Sequence, residues 1–260
     1  MSAVEIILIL VAGIGAGTIN AVVGSGTLIT FPTLVAFGYP PVVATMSNAV
    51  GQIPGGLSGS WGYRKELEGQ RPRIRQLMPA SLLGAVTGAW LLLHLPASTF
   101  EVIVPVLLII ALILVVTQPF IQRWIRRRKE AAGQDHTVLS SRQNVLLVIA
   151  VYLIGIYGGY FTAAQGVLMV GVMGAMLPES LQRINGLKNV LTLVVNVVAA
   201  GAYTIFEFHQ INWAAAGLIS VGTLIGGFLG SSFGRKLPPV ALRCIIVVLG
   251  SVAIWRLLAG

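Results

Sequence analysis

Residues Ile14 to Gln52 read IGAGTINAVVGSGTLITFPTLVAFGYPPVVATMSNAVGQ. The stretch is apolar enough to enter a membrane, yet Gly13, just ahead of it, and Gly15, Gly17, Gly24 and Gly26 interrupt it. Asn20, Thr27, Thr30, Asn48 and Gln52 place polar groups within it. A lipid-facing span has no use for either feature. In hydrocarbon every backbone amide needs a partner, so a broken helix is tolerated only where it is buried in protein or lines a cavity. The segment therefore reads as the inside of a helical membrane protein.

The rest of the chain agrees. Of 260 residues, 56% are hydrophobic and only 10% charged, with a mean hydropathy of +0.88. A soluble domain carries roughly 25% charge. Apolar runs of about 20 residues, the length that crosses ~30 Å of hydrocarbon, recur from end to end. The class is an all-α polytopic membrane protein of eight to ten hydrophobic segments, placed in the cell (inner or plasma) membrane. The net charge of +9 does not indicate nucleic acid, because the basic residues sit in short connections between apolar runs. The single cysteine, Cys244, lies in an apolar run and excludes an internal disulfide. No basic region precedes the first apolar run, so that run is expected to be retained rather than cleaved.

In order, runs are expected at about 4–23 and 26–38, the second ending at Gly38-Tyr39-Pro40-Pro41. At 1.5 Å per residue the second is short for a crossing. The first two segments thus form either a re-entrant hairpin or two steep crossings. Further spans are expected at 42–62, 76–94 and 100–121, the last containing VIVPVLLIIALILVV. The stretch 121–143, IQRWIRRRKEAAGQDHTVLSSRQ, reads as a basic cytoplasmic linker. The pattern then restarts, with runs at 144–163, 166–177, 183–206, 213–233 and 239–258. This gives a first unit over 1–120, the linker over 121–143 and a second unit over 144–260.

The two units align. Gly13-Ile-Gly-Ala-Gly17 resembles Gly155-Ile-Tyr-Gly-Gly159, and Gly26-Thr-Leu-Ile resembles Gly166-Val-Leu-Met. Pro41, Asn48 and Gln52 correspond to Pro178, Asn185 and Asn189 at a constant offset. Counting Lys and Arg puts the loop after the third span in the cytoplasm and its counterpart after the eighth outside. The units are therefore expected to be inverted repeats, each a glycine-broken short-helix hairpin plus three spanning helices. In that design the site lies near the midplane, where broken helices of the two repeats meet.

A helix N-terminus carries unsatisfied N–H groups and about half a positive charge, and so suits an anion. The candidate anion site comprises Gly24, Ser25, Gly26 and Thr27 at one helix start and Gln165 and Gly166 at the other. Asn48, Gln52, Asn185, Lys188 and Asn189 would add side chains. Asn20, Tyr160, Gln165 and Asn196 are weaker candidates. The glycines equally suit close helix packing, and the Asn and Gln side chains equally suit interhelical hydrogen bonds. Arg183 reads as an interfacial snorkelling residue, whereas Lys188 is an intramembrane cation and so a functional candidate. No enzymatic motif, metal cluster or cofactor fingerprint is present, and no acidic residue falls deep in a span.

With these motifs in view, the chain resembles the TauE/SafE family of sulfite-exporter-like permeases. The resemblance rests on GAGTINAVVGSGTLITFPTL, on Ala44-Thr45-Met-Ser47-Asn48 after Pro40-Pro41, on the basic linker, and on Arg183-Ile-Asn185-Gly-Leu-Lys188-Asn189. It implies transport of sulfite or a small organosulfur anion such as sulfoacetate, coupled to the proton gradient. The expected partners are the lipid bilayer and a small anionic substrate, with room for a homo-oligomer and no nucleic acid. The alternatives are a passive anion channel and a non-transporting membrane assembly subunit.

Overall fold

The computed structural model describes residues 1–131, 139–233 and 239–259. Among them are ten α-helices and no strand: α1 Ala3–Val22, α2 Thr27–Ala36, α3 Pro41–Gly62, α4 Arg71–His94, α5 Ala97–Ala131, α6 Ser141–Tyr160, α7 Gln165–Met176, α8 Leu181–Phe206, α9 Trp213–Phe233 and α10 Pro239–Ala259. Six of these (α1, α4, α5, α6, α8 and α9) are long and apolar enough to cross a membrane.

Helix α5 shows why the surrounding medium is lipid. Val104, Leu108, Ala111 and Val115 are buried, whereas Val102, Val106, Ile109, Ile113 and Val116 on the other face are exposed. A helix apolar on both its packed and its open face belongs in a bilayer. Helix α3 differs. Its Thr45, Ser47, Asn48, Gln52 and Ser58 are all buried within the protein, so its polarity faces other helices rather than lipid.

Glycine decides which helices touch. Gly13 of α1 meets Gly222 of α9, and a Cβ on Gly226 would stand 2.1 Å from the Ile14 carbonyl oxygen. On the other side Gly84 of α4 meets Gly155 of α6, and a Cβ on Gly88 would stand 2.1 Å from the Ile156 carbonyl oxygen. Small residues spaced by four on both partners let the backbones approach closely. Helix α1 therefore lies along α9, and α4 along α6. Helix α3 crosses α9 and α8, while α4 also contacts α8. The short helices are covered in the same exchanged manner, α2 by α10 and α7 by α5.

The path of the first two segments is now defined. Gly26 lies against Ala16 and Asn20, Ile29 against Gly15, and the Tyr39 hydroxyl donates to Glu5 Oε1 at 2.6 Å. Chain numbers rise along α2 as they fall along α1, so the pair is an antiparallel hairpin that returns to its side of origin.

The first part of the basic stretch expected as a linker is helical, since α5 runs on to Ala131. Arg, Lys, Glu and Ala are strong helix formers, so the polar tract extends the helix beyond its apolar part. Residues 132–138 of the expected linker, and Arg235 and Lys236, lie outside the described residues.

Candidate functional site

Both hairpins break at the centre of the molecule, and the breaks touch. Gly24 has φ +89°, a left-handed conformation that glycine adopts without steric cost. Its carbonyl accepts the Gly166 N–H at 3.1 Å. A Cβ on Gly24 would stand 2.5 Å from Gly166 Cα, and one on Gly166 would stand 2.4 Å from Gly24 Cα. Only a glycine pair fits. In the second hairpin the turn is made by Thr162 at φ +70° and Ala164 at φ +57°. A β-branched residue in that region is an outlier, held there by the surrounding structure.

A helix that ends inside a protein leaves carbonyls without intrahelical partners. At the end of α1 side chains supply them. Lys188 Nζ donates to the Asn20 carbonyl at 2.6 Å and the Ala21 carbonyl at 3.3 Å. Asn189 Nδ2 also donates to Ala21, at 3.3 Å, and Gln118 Nε2 of α5 donates to Val23 at 3.3 Å. At the end of α6 the donors are neutral hydroxyls. Thr162 Oγ1 donates to Gly158 at 2.9 Å, and the Tyr203 hydroxyl donates to Gly159. Lys188 is thus fully buried at a helix C-terminus, where the macrodipole favours a cation.

The start of α2 is the opposite case. Among the described residues the N–H groups of Ser25, Gly26 and Thr27 have no acceptor, and all three residues are buried. The Ser25 hydroxyl, 1% exposed, likewise has no partner. Buried polar groups are otherwise almost always paired. The start of α7 does not match it. Gly166 N–H is spent on Gly24, and Gln165 N–H on the Thr162 carbonyl at 3.3 Å. The backbone N–H groups of Gln165 and Gly166, expected to face an oxyanion, are thus both taken up within the protein. The Gln165 side chain does remain open: it is 2% exposed, its amide lies against Gly158, and neither amide atom has a partner.

Asn48 and Gln52 form a network with α2. Thr30 Oγ1 donates to Asn48 Oδ1 at 2.5 Å, Asn48 Nδ2 to Thr27 Oγ1 at 3.3 Å, and Gln52 Nε2 to Thr30 Oγ1 at 3.3 Å. Gln52 Oε1 and Asn185 Oδ1 are buried and unpartnered. In α7, Val167 and Val170 stand where α2 has Thr27 and Thr30, so Asn185 has no hydroxyl of that kind to meet. Arg183 has defined partners at the start of α8. It pairs with Glu179 at 2.6 Å and donates to the Glu68 carbonyl at 3.0 Å, tying α8 to the connection between α3 and α4. Two contributors escaped the sequence reading: Gln118, which sits in the most apolar run, and Tyr203. A lone amide late in an otherwise featureless span was the only available signal for Gln118.

The arrangement defines a helical membrane transport protein with a buried polar centre between two broken hairpins. The chain matches the family described as "Sulfite exporter TauE/SafE" over residues 9–257, and it belongs to that family, one of transporters and not of enzymes. It is 23% identical over 252 residues to a "Probable membrane transporter protein ORF9" of Sinorhizobium sp, covering 96% of this chain and 90% of the relative. It is 24% identical over 249 residues to "Probable membrane transporter protein YfcA" of Escherichia coli K12, covering 94% and 86%. With "Probable membrane transporter protein YdhB" of Bacillus subtilis identity is 26% over 247 residues, covering 94% and 93%. No solved structure matches the chain at a significant level.

Proposed function

We propose that the protein is a secondary-active carrier of a small sulfur oxyanion, sulfite or an organosulfonate, and that the anion binds at the start of α2. The observation that carries this reading is the trio of buried, unpartnered N–H groups at Ser25, Gly26 and Thr27 beside the unpartnered Ser25 hydroxyl. Such a group of donors at a helix N-terminus suits an oxyanion. Gln165, Gln52 and Asn185 supply further uncommitted amide atoms. Asn48 orients α2, and Lys188 and Asn189 hold the end of α1.

Movement is by alternating access of two inverted repeats, α1–α5 and α6–α10. The exchange of partners supports this: α1 with α9 answers α4 with α6, and α2 with α10 answers α7 with α5. The connections rich in Lys and Arg face the cytoplasm, and the family resemblance favours coupling to the proton gradient.

Ser25→Ala separates function from folding. The Ser25 hydroxyl makes no bond within the protein, so its removal leaves thermal stability unchanged or raised. Uptake of radiolabelled sulfite into proteoliposomes is expected to show a KM raised about tenfold or more, the worth of a hydrogen bond to a charged ligand. Unaltered kinetics in a stable Ser25→Ala protein would remove the anion from the start of α2.

A further inference from the structure

Charge, rather than shape, limits what this centre can enclose. Among the described residues Lys188 is the only buried side chain of an ionisable acid or base other than tyrosine. Its neighbours Asn20, Asn189 and Thr192 are neutral. Its ammonium donates to two main-chain carbonyls and meets no carboxylate. The groups it donates to are main-chain carbonyls, so no carboxylate among the described residues cancels its charge.

The helix ends do not alter the sum. The end of α1 carries about half a negative charge and the start of α2 about half a positive one. They are adjacent, because Gly26 packs on Asn20, whose carbonyl Lys188 holds. Their contributions offset each other, so the centre carries a net charge of one when the Lys188 amine is protonated. An ion buried without compensation is strongly disfavoured. A ligand of single negative charge completes a neutral enclosed centre, and one of double charge does not.

We infer that the transported species is a monoanion, namely bisulfite or a monosulfonate rather than a doubly charged oxyanion, and that Lys188 sets this selectivity. The inference rests on the anion site proposed above. Lys188 acts as a specificity residue through its charge, while its contacts fix the end of α1.

Methanesulfonate and sulfate test it, since both present tetrahedral sulfur with oxygen donors and differ in charge. Titration calorimetry on the full chain in nanodiscs is expected to show methanesulfonate binding at least about tenfold more tightly than sulfate, a 1.4 kcal/mol preference or more. Lys188→Arg is expected to keep that order, and Lys188→Gln to weaken methanesulfonate by about tenfold or more. Sulfate binding as tightly as methanesulfonate overturns the charge count and leaves the anion site standing. Wild-type affinity for methanesulfonate in a folded Lys188→Gln protein overturns the role of Lys188. Failure of both anions to bind overturns this inference together with the proposed function. If Lys188→Gln does not fold, the wild-type comparison of the two anions decides alone.

Discussion

Replacing Gly24 by alanine applies two distinct loads to the centre of the molecule, and the structure separates them. The first is conformational. Gly24 has φ +89°, where a Cβ costs roughly 1–2 kcal/mol. The second is contact. The new Cβ would stand 2.5 Å from Gly166 Cα and 2.6 Å from Gly166 C, against an ordinary carbon separation of about 3.5–4.0 Å. Both neighbours are backbone, so the start of α7 must retreat by about 1 Å. That retreat stretches the 3.1 Å bond from Gly166 N–H to the Gly24 carbonyl, and an unmet buried pair costs about 1–3 kcal/mol. The sum is about 2–5 kcal/mol. Two further variants isolate the parts. Gly38 has φ +86° and nothing within 4 Å of its Cβ position, so Gly38→Ala carries the conformational load only. Gly166→Ala has no positive φ and a Cβ 2.4 Å from Gly24 Cα, so it carries the contact load only. Thermal unfolding in detergent should rank Gly24→Ala as the most destabilised and Gly38→Ala as the least, with proteoliposome flux lost in both central variants. Equal stability of Gly24→Ala and Gly38→Ala would refute the contact between the two breaks.

Two other outcomes follow from the same geometry. Ala164, at φ +57°, bears a strain of roughly 1–2 kcal/mol that glycine avoids. Its methyl is fully buried, and losing it costs about 0.8 kcal/mol while glycine's extra backbone freedom costs about 0.5–1 kcal/mol, so Ala164→Gly should leave the unfolding temperature nearly unchanged. Burial, and then the hydrogen bond and charge of Glu5, push the Tyr39 phenol up to about 12. Its neutral form is favoured in the fold, so this contribution to stability is complete below the ordinary phenol value of 10.0 and is lost as pH rises through about 12. Glu5→Gln should lower the Tyr39 titration midpoint, followed by ultraviolet absorbance, without returning it fully to 10.0, because burial remains.

Much of this architecture is legible in the sequence, for reasons that differ by element. The helix pattern follows from runs of apolar residues closed by Pro and Gly. The meeting of Gly24 with Gly166 follows from two breaks at matching places in two similar halves. The direction of α2 is not legible, since it depends on a contact between Tyr39 and Glu5, 34 residues apart. Nor is the task of Lys188 readable. Spacing marks it as an intramembrane cation, but only the fold brings it to the carbonyls of Asn20 and Ala21, 168 and 167 residues away. The inequality of the two helix starts is hidden for the same reason. Gly26 and Gly166 look equivalent in sequence, yet one N–H is open and the other is spent on Gly24. The extension of α5 is legible from helix propensity, because Arg, Lys, Glu and Ala favour a helix even where their polarity ends the apolar run.

In the function proposed above an oxyanion binds at the start of α2. Anomalous diffraction from crystals of the protein with selenite, a heavier analogue of sulfite, tests it most directly. The account expects a selenium peak whose oxygens lie about 2.7–3.2 Å from the N–H groups of Ser25, Gly26 and Thr27. A single peak among the exposed Arg64, Arg71 and Arg75, at the connection between α3 and α4 and the start of α4, with none at the break in the first hairpin, would contradict it.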